Sequence, residues 1–257
     1  MTTDDTPGTE TSRQPLRSER VDVPSASGRP MRAALVRPHA TGPRPAVIVI
    51  HEAFGLNRDI RDKAGRLARM GYVALAPDLF DKGQPKALCI ARTMRQMGRG
   101  GGEALDDLEA IRNWLAGQLY VDEFRTGVIG FCMGGAFALL YAGRAPLNAA
   151  AIFYGSAPPD TGEGSIYEDM CPVVASYGAR DRTLRGHSDR LEAALEKRGI
   201  DHDIKTYEDA GHSFMSDHKG LFARLNAAGP LKLGFQPEAA EDSWQRVETF
   251  FAKHLDA

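Results

Sequence analysis

The stretch Thr126–Tyr141, TGVIGFCMGGAFALLY, contains the pattern that decides the fold. Positions 128–129 form a short apolar run typical of a buried strand, and positions 136–141 form an apolar run typical of a helix. Between them, GFCMG at positions 130–134 follows the G-x-S-x-G pattern of a nucleophile elbow, with cysteine in the serine position. The stretch therefore predicts a strand, a tight turn that exposes Cys132, and a helix.

The elbow requires small residues on both sides of its central residue. Gly130 and Gly134 have no side chain that could collide where the chain passes close to itself. The helix that follows directs its N–H groups and the positive end of its dipole toward the sulfur of Cys132, which favours the thiolate. A buried structural cysteine is the alternative interpretation of this residue.

Composition restricts the class of protein. The chain has 257 residues and a formal net charge of −2, which gives no reason to expect nucleic acid or an anionic membrane as a partner. No apolar run approaches the ~18 residues of a membrane span, and the N-terminus lacks the apolar core of a signal peptide. The three cysteines, Cys89, Cys132 and Cys171, form neither a metal motif nor a disulfide framework, so we expect a cytoplasmic, reduced protein.

The order of predicted elements indicates the fold class. Residues 1–18 are polar and predict a disordered tail, whereas residues 19–257 predict a single domain. Strands alternate with helices, which predicts an α/β fold with a mostly parallel central sheet and helices on both faces. Predicted strands cover residues 19–24, 30–37, 46–50, 72–76, 128–129, 149–154, 172–177 and 204–207. Predicted helices cover residues 59–69, 103–119, 136–141, 185–198 and 237–255, and residues 79–102 predict a helix plus a loop.

Polar residues follow two of these strands, where an open α/β sheet places its chemistry. Asp181 follows the strand at residues 172–177, and His212 follows the strand at residues 204–207. With Cys132 they give the chain order nucleophile, acid, histidine. His212 could take the thiol proton and later protonate the leaving oxygen, while Asp181 fixes the imidazole tautomer. The alternatives are a helix-capping aspartate and a loop histidine.

The loop HEAFG at residues 51–55 follows the apolar strand AVIVI. In this type of sheet such a loop supplies one oxyanion donor, which we assign to the Ala53 N–H, and the N–H after the nucleophile, that of Met133, supplies the other. Glu52 places a carboxylate near the thiol. It could be a solvated or salt-bridged glutamate, or it could oppose thiolate formation until an anionic substrate displaces it.

Four motifs in order, HEAFGLN at Glu52, GFCMGG at Cys132, GARD at Asp181 and GHSF at His212, resemble the dienelactone hydrolase family of α/β-hydrolases. The resemblance extends from about Glu19 to Leu255. It implies the α/β-hydrolase fold and hydrolysis of an enol-lactone or ester through a Cys-His-Asp triad and an acyl-thioester intermediate. It also implies that Glu52 pairs with the resting thiol and takes part in its activation, and that no metal or organic cofactor is needed.

The resemblance also implies arginines that bind a substrate carboxylate, one of them four residues after the catalytic histidine. That position is Ser216 here, which departs from the pattern. Arg92, Arg95 or Arg99 could replace the missing guanidinium, although a solvated basic face explains at least two of them. Phe54 is a further candidate for substrate contact.

Other functions stay open at this point. A broad-specificity carboxylesterase or thioesterase would use the same residues, and a non-catalytic redox-sensing or binding protein could retain the elbow cysteine. A metal site built from the chain's histidines is disfavoured, because their spacings match no metal motif. The expected partner is a small ester or lactone, with the protein acting as a monomer or homodimer.

Overall fold

The computed structural model describes residues 15–81, 83, 86–97, 100–217 and 229–256. Its strands are β1 (Leu16–Val23), β2 (Met31–Pro38), β3 (Arg44–Ile50), β4 (Val73–Pro77), β5 (Val121–Phe131), β6 (Ala149–Phe153), β7 (Val173–Gly178) and β8 (His202–Tyr207). Its helices are α1 (Arg58–Arg69), α2 (Lys86–Met97), α3 (Glu103–Ala116), α4 (Met133–Ala142), α5 (His187–Glu196) and α6 (Pro237–Leu255).

These strands form one sheet in the order β1-β2-β4-β3-β5-β6-β7-β8. β2 pairs antiparallel with β1 and β4, and every pair from β4 through β3 to β8 is parallel. The central strands are apolar on both faces because helices cover both, and residues 46–50 of β3 are fully buried. The predicted α/β architecture with a mostly parallel sheet is confirmed.

The helices divide between the two faces of the sheet. Leu67 of α1 and Phe251 of α6 belong to one apolar cluster, whereas Leu108 of α3 and Phe137 of α4 belong to the other. α4 is buried on all sides, which explains why its sequence is apolar without helical periodicity. Both clusters meet the sheet at the elbow, and Cys132 packs against each of them.

β1 corrects the predicted extent of the N-terminal tail. The strand begins at Leu16, so three residues of the segment predicted to be disordered belong to the sheet. Leu16 pairs with Pro38 in the first step of a continuous antiparallel ladder. Residues 17–20 of this edge strand are all polar and exposed, so its order comes from backbone pairing that the local sequence did not reveal. Residues 1–14 of the predicted tail lie outside the described residues.

Element boundaries differ from the predictions at several ends. β5 begins at Val121 rather than at position 128, because its polar first half extends beyond the apolar run. α3 ends at Ala116, before Gly117, and not at position 119. The helix predicted from position 185 begins at His187, after a short 3-10 turn at Arg182–Leu184. α6 matches its predicted limits, and no helix among the described residues is long and apolar enough to cross a membrane.

Candidate active site

Cys132 stands at the turn between β5 and α4 in a strained backbone conformation. Its φ is 57°, a region that non-glycine residues rarely occupy and that costs about 1–3 kcal/mol. The surrounding chain holds this conformation, since the Cys132 N–H donates to the carbonyl of Phe153 and its own carbonyl accepts from Ala136. The thiol is partly exposed at the carboxyl edge of the sheet.

The two glycines of the motif are fixed by close backbone contacts. A Cβ on Gly134 would lie 2.3 Å from the carbonyl oxygen of Ile50, and one on Gly130 would lie 2.0 Å from the carbonyl oxygen of Gly134. These neighbours are main-chain atoms that cannot move aside. The requirement for small residues on both sides of Cys132 is therefore present in the structure.

His212 and Asp181 are joined by a short hydrogen bond. The Nδ1–H of His212 donates to Asp181 Oδ2 at 2.6 Å, and both side chains are buried. The other carboxylate oxygen of Asp181 accepts from the backbone N–H of Thr183 at 2.9 Å, which caps the 3-10 turn. The capping role weighed from the sequence and the contact to histidine therefore occur together, one on each oxygen.

The hydrogen bonds of this pair shift both pKa values toward the charged forms. Burial raises the pKa of Asp181, but the hydrogen bonds from His212 and Thr183 outweigh it and leave this pKa below its ordinary value. Burial also lowers the pKa of His212, but hydrogen bonds to Asp181 and Cys132 raise it to about 10. His212 thus contacts both other residues, and these contacts favour its imidazolium form.

The two residues predicted to supply oxyanion donors, Ala53 and Met133, both line the cavity that contains Cys132 and His212. Met133 is the first residue of α4, and N–H groups in the first turn of a helix have no acceptor within the helix. Backbone N–H groups in such positions can stabilise negative charge on a carbonyl oxygen, and the oxyanion role of these two residues stays a prediction.

Glu52 is 2% exposed and lies within a buried polar cluster. Its Oε1 accepts from the hydroxyl of Tyr154 at 3.0 Å and from the hydroxyl of Ser216 at 3.2 Å. The pKa of Tyr154 is raised well above its ordinary value by burial and next by the charge of Glu52, with a further contribution from Cys132. The carboxylate of Glu52 and the sulfur of Cys132 therefore both act on the pKa of the Tyr154 hydroxyl.

Ser216 connects Glu52 to a buried lysine of α1. Lys63 is 5% exposed, donates to Ser216 Oγ at 3.0 Å and forms an ion pair with Asp59. Ser216 also lies 3.0 Å from Asp59, so its single proton has two carboxylates as alternative acceptors. Ser216, predicted to contact substrate, is buried behind Glu52 and is absent from the described lining of the cavity.

The cavity above Cys132 has a volume of about 470 Å³. Its described walls are mostly apolar, with two methionines from α2, Phe54 from the loop after β3 and two leucines after position 229. The polar groups in these walls are hydroxyls, the thiol and the imidazole of His212. Phe54 therefore lines the cavity, and its contact with substrate stays a prediction.

The predicted arginines occupy other positions. Arg92 forms an ion pair with Glu103 on the neighbouring helix α3, and Arg95 is exposed on α2. Neither belongs to the described lining of the cavity, and Arg99 lies outside the described residues. A role for these arginines in binding a carboxylate stays a prediction that no contact in the described residues supports.

Histidines and acidic residues also approach one another elsewhere. The ligand atoms of Glu192, Glu196 and His202 lie within 4.8 Å of each other on the surface of α5 and β8. The Nδ1 of His187 accepts a hydrogen bond from the backbone N–H of Ala157 at 2.9 Å and is therefore already engaged within the protein. None of these four residues is among those that line the cavity.

Tyr154 and Lys63 were missed from the sequence. Tyr154 has a φ of 41° and directly follows β6, so the rule that located Asp181 and His212 after their strands also applies to it. Its position in an apolar run concealed it. Lys63 had no such signal, because a lysine on an amphipathic helix is ordinarily exposed.

Comparison with known proteins adds family information. The model of the family described as "Dienelactone hydrolase family" matches residues 31–255. Among curated proteins, a "Putative carboxymethylenebutenolidase" of Yersinia pestis is 32% identical over 249 residues, covering 90% of this chain and 86% of the relative. A protein of the same description from Synechocystis is 33% identical over 237 residues, covering 86% and 91%.

Solved structures agree in fold. A crystal structure of a "Putative Dienelactone Hydrolase" from Klebsiella pneumoniae has a TM-score of 0.77 and 29% identity, covering 93% of this chain and 100% of that chain. A dienelactone-hydrolase-like promiscuous phosphotriesterase from metagenomic libraries has a TM-score of 0.78 and 26% identity, covering 93% and 98%. The fold shared with these structures is the α/β-hydrolase fold that the sequence predicted.

Proposed function

Because the chain belongs to the dienelactone hydrolase family, we propose that it hydrolyses small esters or enol-lactones through an acyl-thioester on Cys132. The protein is a hydrolase of the carboxymethylenebutenolidase type, which acts on ester and lactone bonds. The observation that carries the assignment of the nucleophile is the contact of His212 with both Asp181 and Cys132 at the strained elbow.

The first half-reaction forms the thioester. The thiolate of Cys132 attacks the carbonyl carbon, and the N–H groups of Met133 and Ala53 bind the resulting oxyanion. The oxyanion collapses, the C–O bond to the leaving group breaks, and His212 gives its proton to the departing oxygen. In a lactone this oxygen stays attached to the acyl group as a hydroxyl.

The second half-reaction releases the acid. His212 takes a proton from a water molecule, whose oxygen attacks the thioester carbon. The C–S bond breaks, and the thiolate and the imidazolium are restored, with Asp181 stabilising the imidazolium throughout. The net change is one ester and one water converted into one acid and one alcohol.

Trapping the intermediate tests this proposal. Intact mass spectrometry after brief exposure to para-nitrophenyl acetate should show one acetyl group on the wild-type protein and none on Cys132→Ala. Cys171→Ala is the matched control, because burial raises the pKa of that thiol to about 12 and leaves it unreactive. An acetyl group that persists in Cys132→Ala, with turnover intact, would end the proposal.

Asp181→Asn should lower kcat far more than it raises KM.

Two alternatives predict other results. A broad carboxylesterase or thioesterase would turn over a panel of nitrophenyl esters and thioesters as well as any cyclic enol-lactone. A redox-sensing or binding protein would show no turnover that Cys132→Ser and His212→Ala could abolish.

A thiol nucleophile also suits a reducing compartment, so we place the protein in the cytoplasm as part of this proposal.

A further inference from the structure

His51, the residue before Glu52, is a buried histidine that the proposed mechanism does not use. It is 0% exposed, and its ring packs against that of Phe80 with 4.7 Å between the ring centroids. The Nε2 of His51 accepts a hydrogen bond from the backbone N–H of Leu79 at 3.0 Å. Both nitrogens of an imidazolium are donors, so a ring that accepts through Nε2 is neutral and has its proton on Nδ1.

The Nδ1–H of His51 donates to the backbone carbonyl of Glu52. The distance between the two atoms is 2.7 Å, and the contact is buried. The same carbonyl accepts from the N–H of Gly55 at 3.0 Å, which closes a β-turn with Ala53 and Phe54 as its central residues. Two donors therefore hold the oxygen of the Glu52 carbonyl.

The carbonyl of Glu52 and the N–H of Ala53 belong to one peptide group. A trans peptide group is planar, and its C=O and N–H point in opposite directions, so fixing the carbonyl also fixes the direction of the N–H. Ala53 lines the cavity together with Cys132, whereas the fully buried His51 is absent from the described lining. The carbonyl of this peptide group thus faces the imidazole, and its N–H points away from the imidazole.

From these contacts we propose that His51 is a positioning residue that orients the peptide group of Ala53, the predicted oxyanion donor. The proposal rests on the proposed hydrolysis and adds to that site a residue that touches neither the substrate nor the reacting atoms. A hydrogen bond to the carbonyl also polarises the peptide group, which makes its N–H a stronger donor. Both effects act on the oxyanion that forms when the sulfur of Cys132 adds to a carbonyl group.

The contact with Leu79 gives His51 a second role, which experiments have to separate from the first. Leu79 follows β4, the neighbour of β3 in the sheet, so the imidazole also connects two strand ends. The amide nitrogen of an asparagine can take the place of Nδ1, and the amide oxygen of a glutamine can take the place of Nε2. His51→Asn therefore keeps a donor for the Glu52 carbonyl, and His51→Gln keeps an acceptor for the Leu79 N–H.

Protection of Cys132 by butanal compares the two variants without turnover. The thiol adds to the aldehyde: a C–S bond forms, the C=O double bond becomes single, and the thiol proton passes to the oxygen, which lies where the oxyanion forms. The measurement is the butanal concentration that halves the rate of iodoacetamide labelling. We expect this concentration to rise at least about tenfold in His51→Gln and to stay within about threefold of wild type in His51→Asn.

The labelling rate without butanal is the internal control. Iodoacetamide alkylates the sulfur by displacing iodide and forms no oxyanion, so its rate should stay within about threefold of wild type in both variants. In turnover of para-nitrophenyl acetate, His51→Gln should lower kcat at least about tenfold with little change in KM, and His51→Asn should restore most of the loss. A role confined to connecting the strand ends predicts the larger loss in His51→Asn.

Butanal protection separates this proposal from the proposed function. If the wild-type protein hydrolyses no ester through Cys132 but the variants show the expected protection, the proposed function fails and the role of His51 stands. Equal protection in wild type and folded His51→Gln, an equal loss in both variants, or no protection in wild type would overturn that role. If His51→Gln does not fold, His51→Asn decides: protection within about threefold of wild type supports the role, and a larger loss overturns it.

Discussion

At the scale of single residues, the sulfur of Cys132 is subject to opposing electrostatic effects. The imidazolium favoured by the raised pKa of His212 and the N-terminus of α4 both stabilise a thiolate. The carboxylate of Glu52, which accepts from the hydroxyl of Tyr154 in the same buried region, opposes it. Glu52 is held in place by Tyr154 and Ser216, so its charge acts at a fixed position.

Replacing Glu52 with glutamine tests this opposition. Glu52→Gln removes the negative charge and keeps the shape of the side chain, so the thiolate fraction of Cys132 should rise. We expect labelling of Cys132 by iodoacetamide near neutral pH to become about threefold to tenfold faster. Asp209→Asn removes an exposed carboxylate that pairs with Arg180 and controls for net charge. Labelling that is unchanged or slower would contradict the assigned role of Glu52.

At the scale of elements, the elbow depends on how closely α4 approaches β3. The turn can pass beneath the carbonyls of Ile50 and His51 because Gly134 has no Cβ. Those carbonyls belong to the strand end that leads into Glu52 and Ala53. The contact therefore fixes the distance between the nucleophile and the loop that carries the other polar groups.

Gly134→Ala should destabilise the protein severely. The added Cβ would lie 2.3 Å from the Ile50 carbonyl oxygen and 2.7 Å from that of His51, and both belong to the backbone. We expect a loss of at least about 3 kcal/mol in the free energy of unfolding, measured by urea denaturation. Gly117→Ala is the control, because its nearest neighbour would be 3.5 Å away and its φ is −80°. If the free energy of unfolding of Gly134→Ala were within about 1 kcal/mol of wild type, the turn would not require glycine at this position.

Sequence alone could predict the order of the elements and bring Cys132, Asp181 and His212 to one edge of the sheet, because each comes no more than five residues after the end of a recognisable strand. It could not place Lys63, since the burial of this helical lysine depends on a contact with Ser216, 153 residues away. The sequence could not predict the surroundings of Ser216 for the same reason. It also missed that Leu16 begins a strand, because an edge strand is ordered by its hydrogen-bonded ladder and not by its own apolar residues.

At the scale of the whole molecule, the last helix holds the strand that leads to Asp181. Arg246 of α6 contacts two strands, donating to Ser176 Oγ at 2.9 Å and to the carbonyl of Ala175 at 3.3 Å in the middle of β7. It also pairs with Asp203 of β8 at 2.7 Å. One side chain from residue 246 therefore joins the C-terminal helix to strands formed about 40 and 70 residues earlier.

Arg246→Met should show how much this connection contributes. The methionine keeps most of the apolar stem but removes the donor to the buried hydroxyl of Ser176 and breaks the ion pair with Asp203, whose side chain is 46% exposed and can be hydrated. We expect a loss of about 1–3 kcal/mol, seen as a lower urea midpoint with an unchanged slope. Lys253→Met removes an exposed cation of the same helix, paired with Asp201, and should change stability by no more than about 0.5 kcal/mol. If the two variants were equally stable, the hydrogen bonds of Arg246 would not hold β7 and β8 to α6, and the position of Asp181 would depend on apolar packing alone.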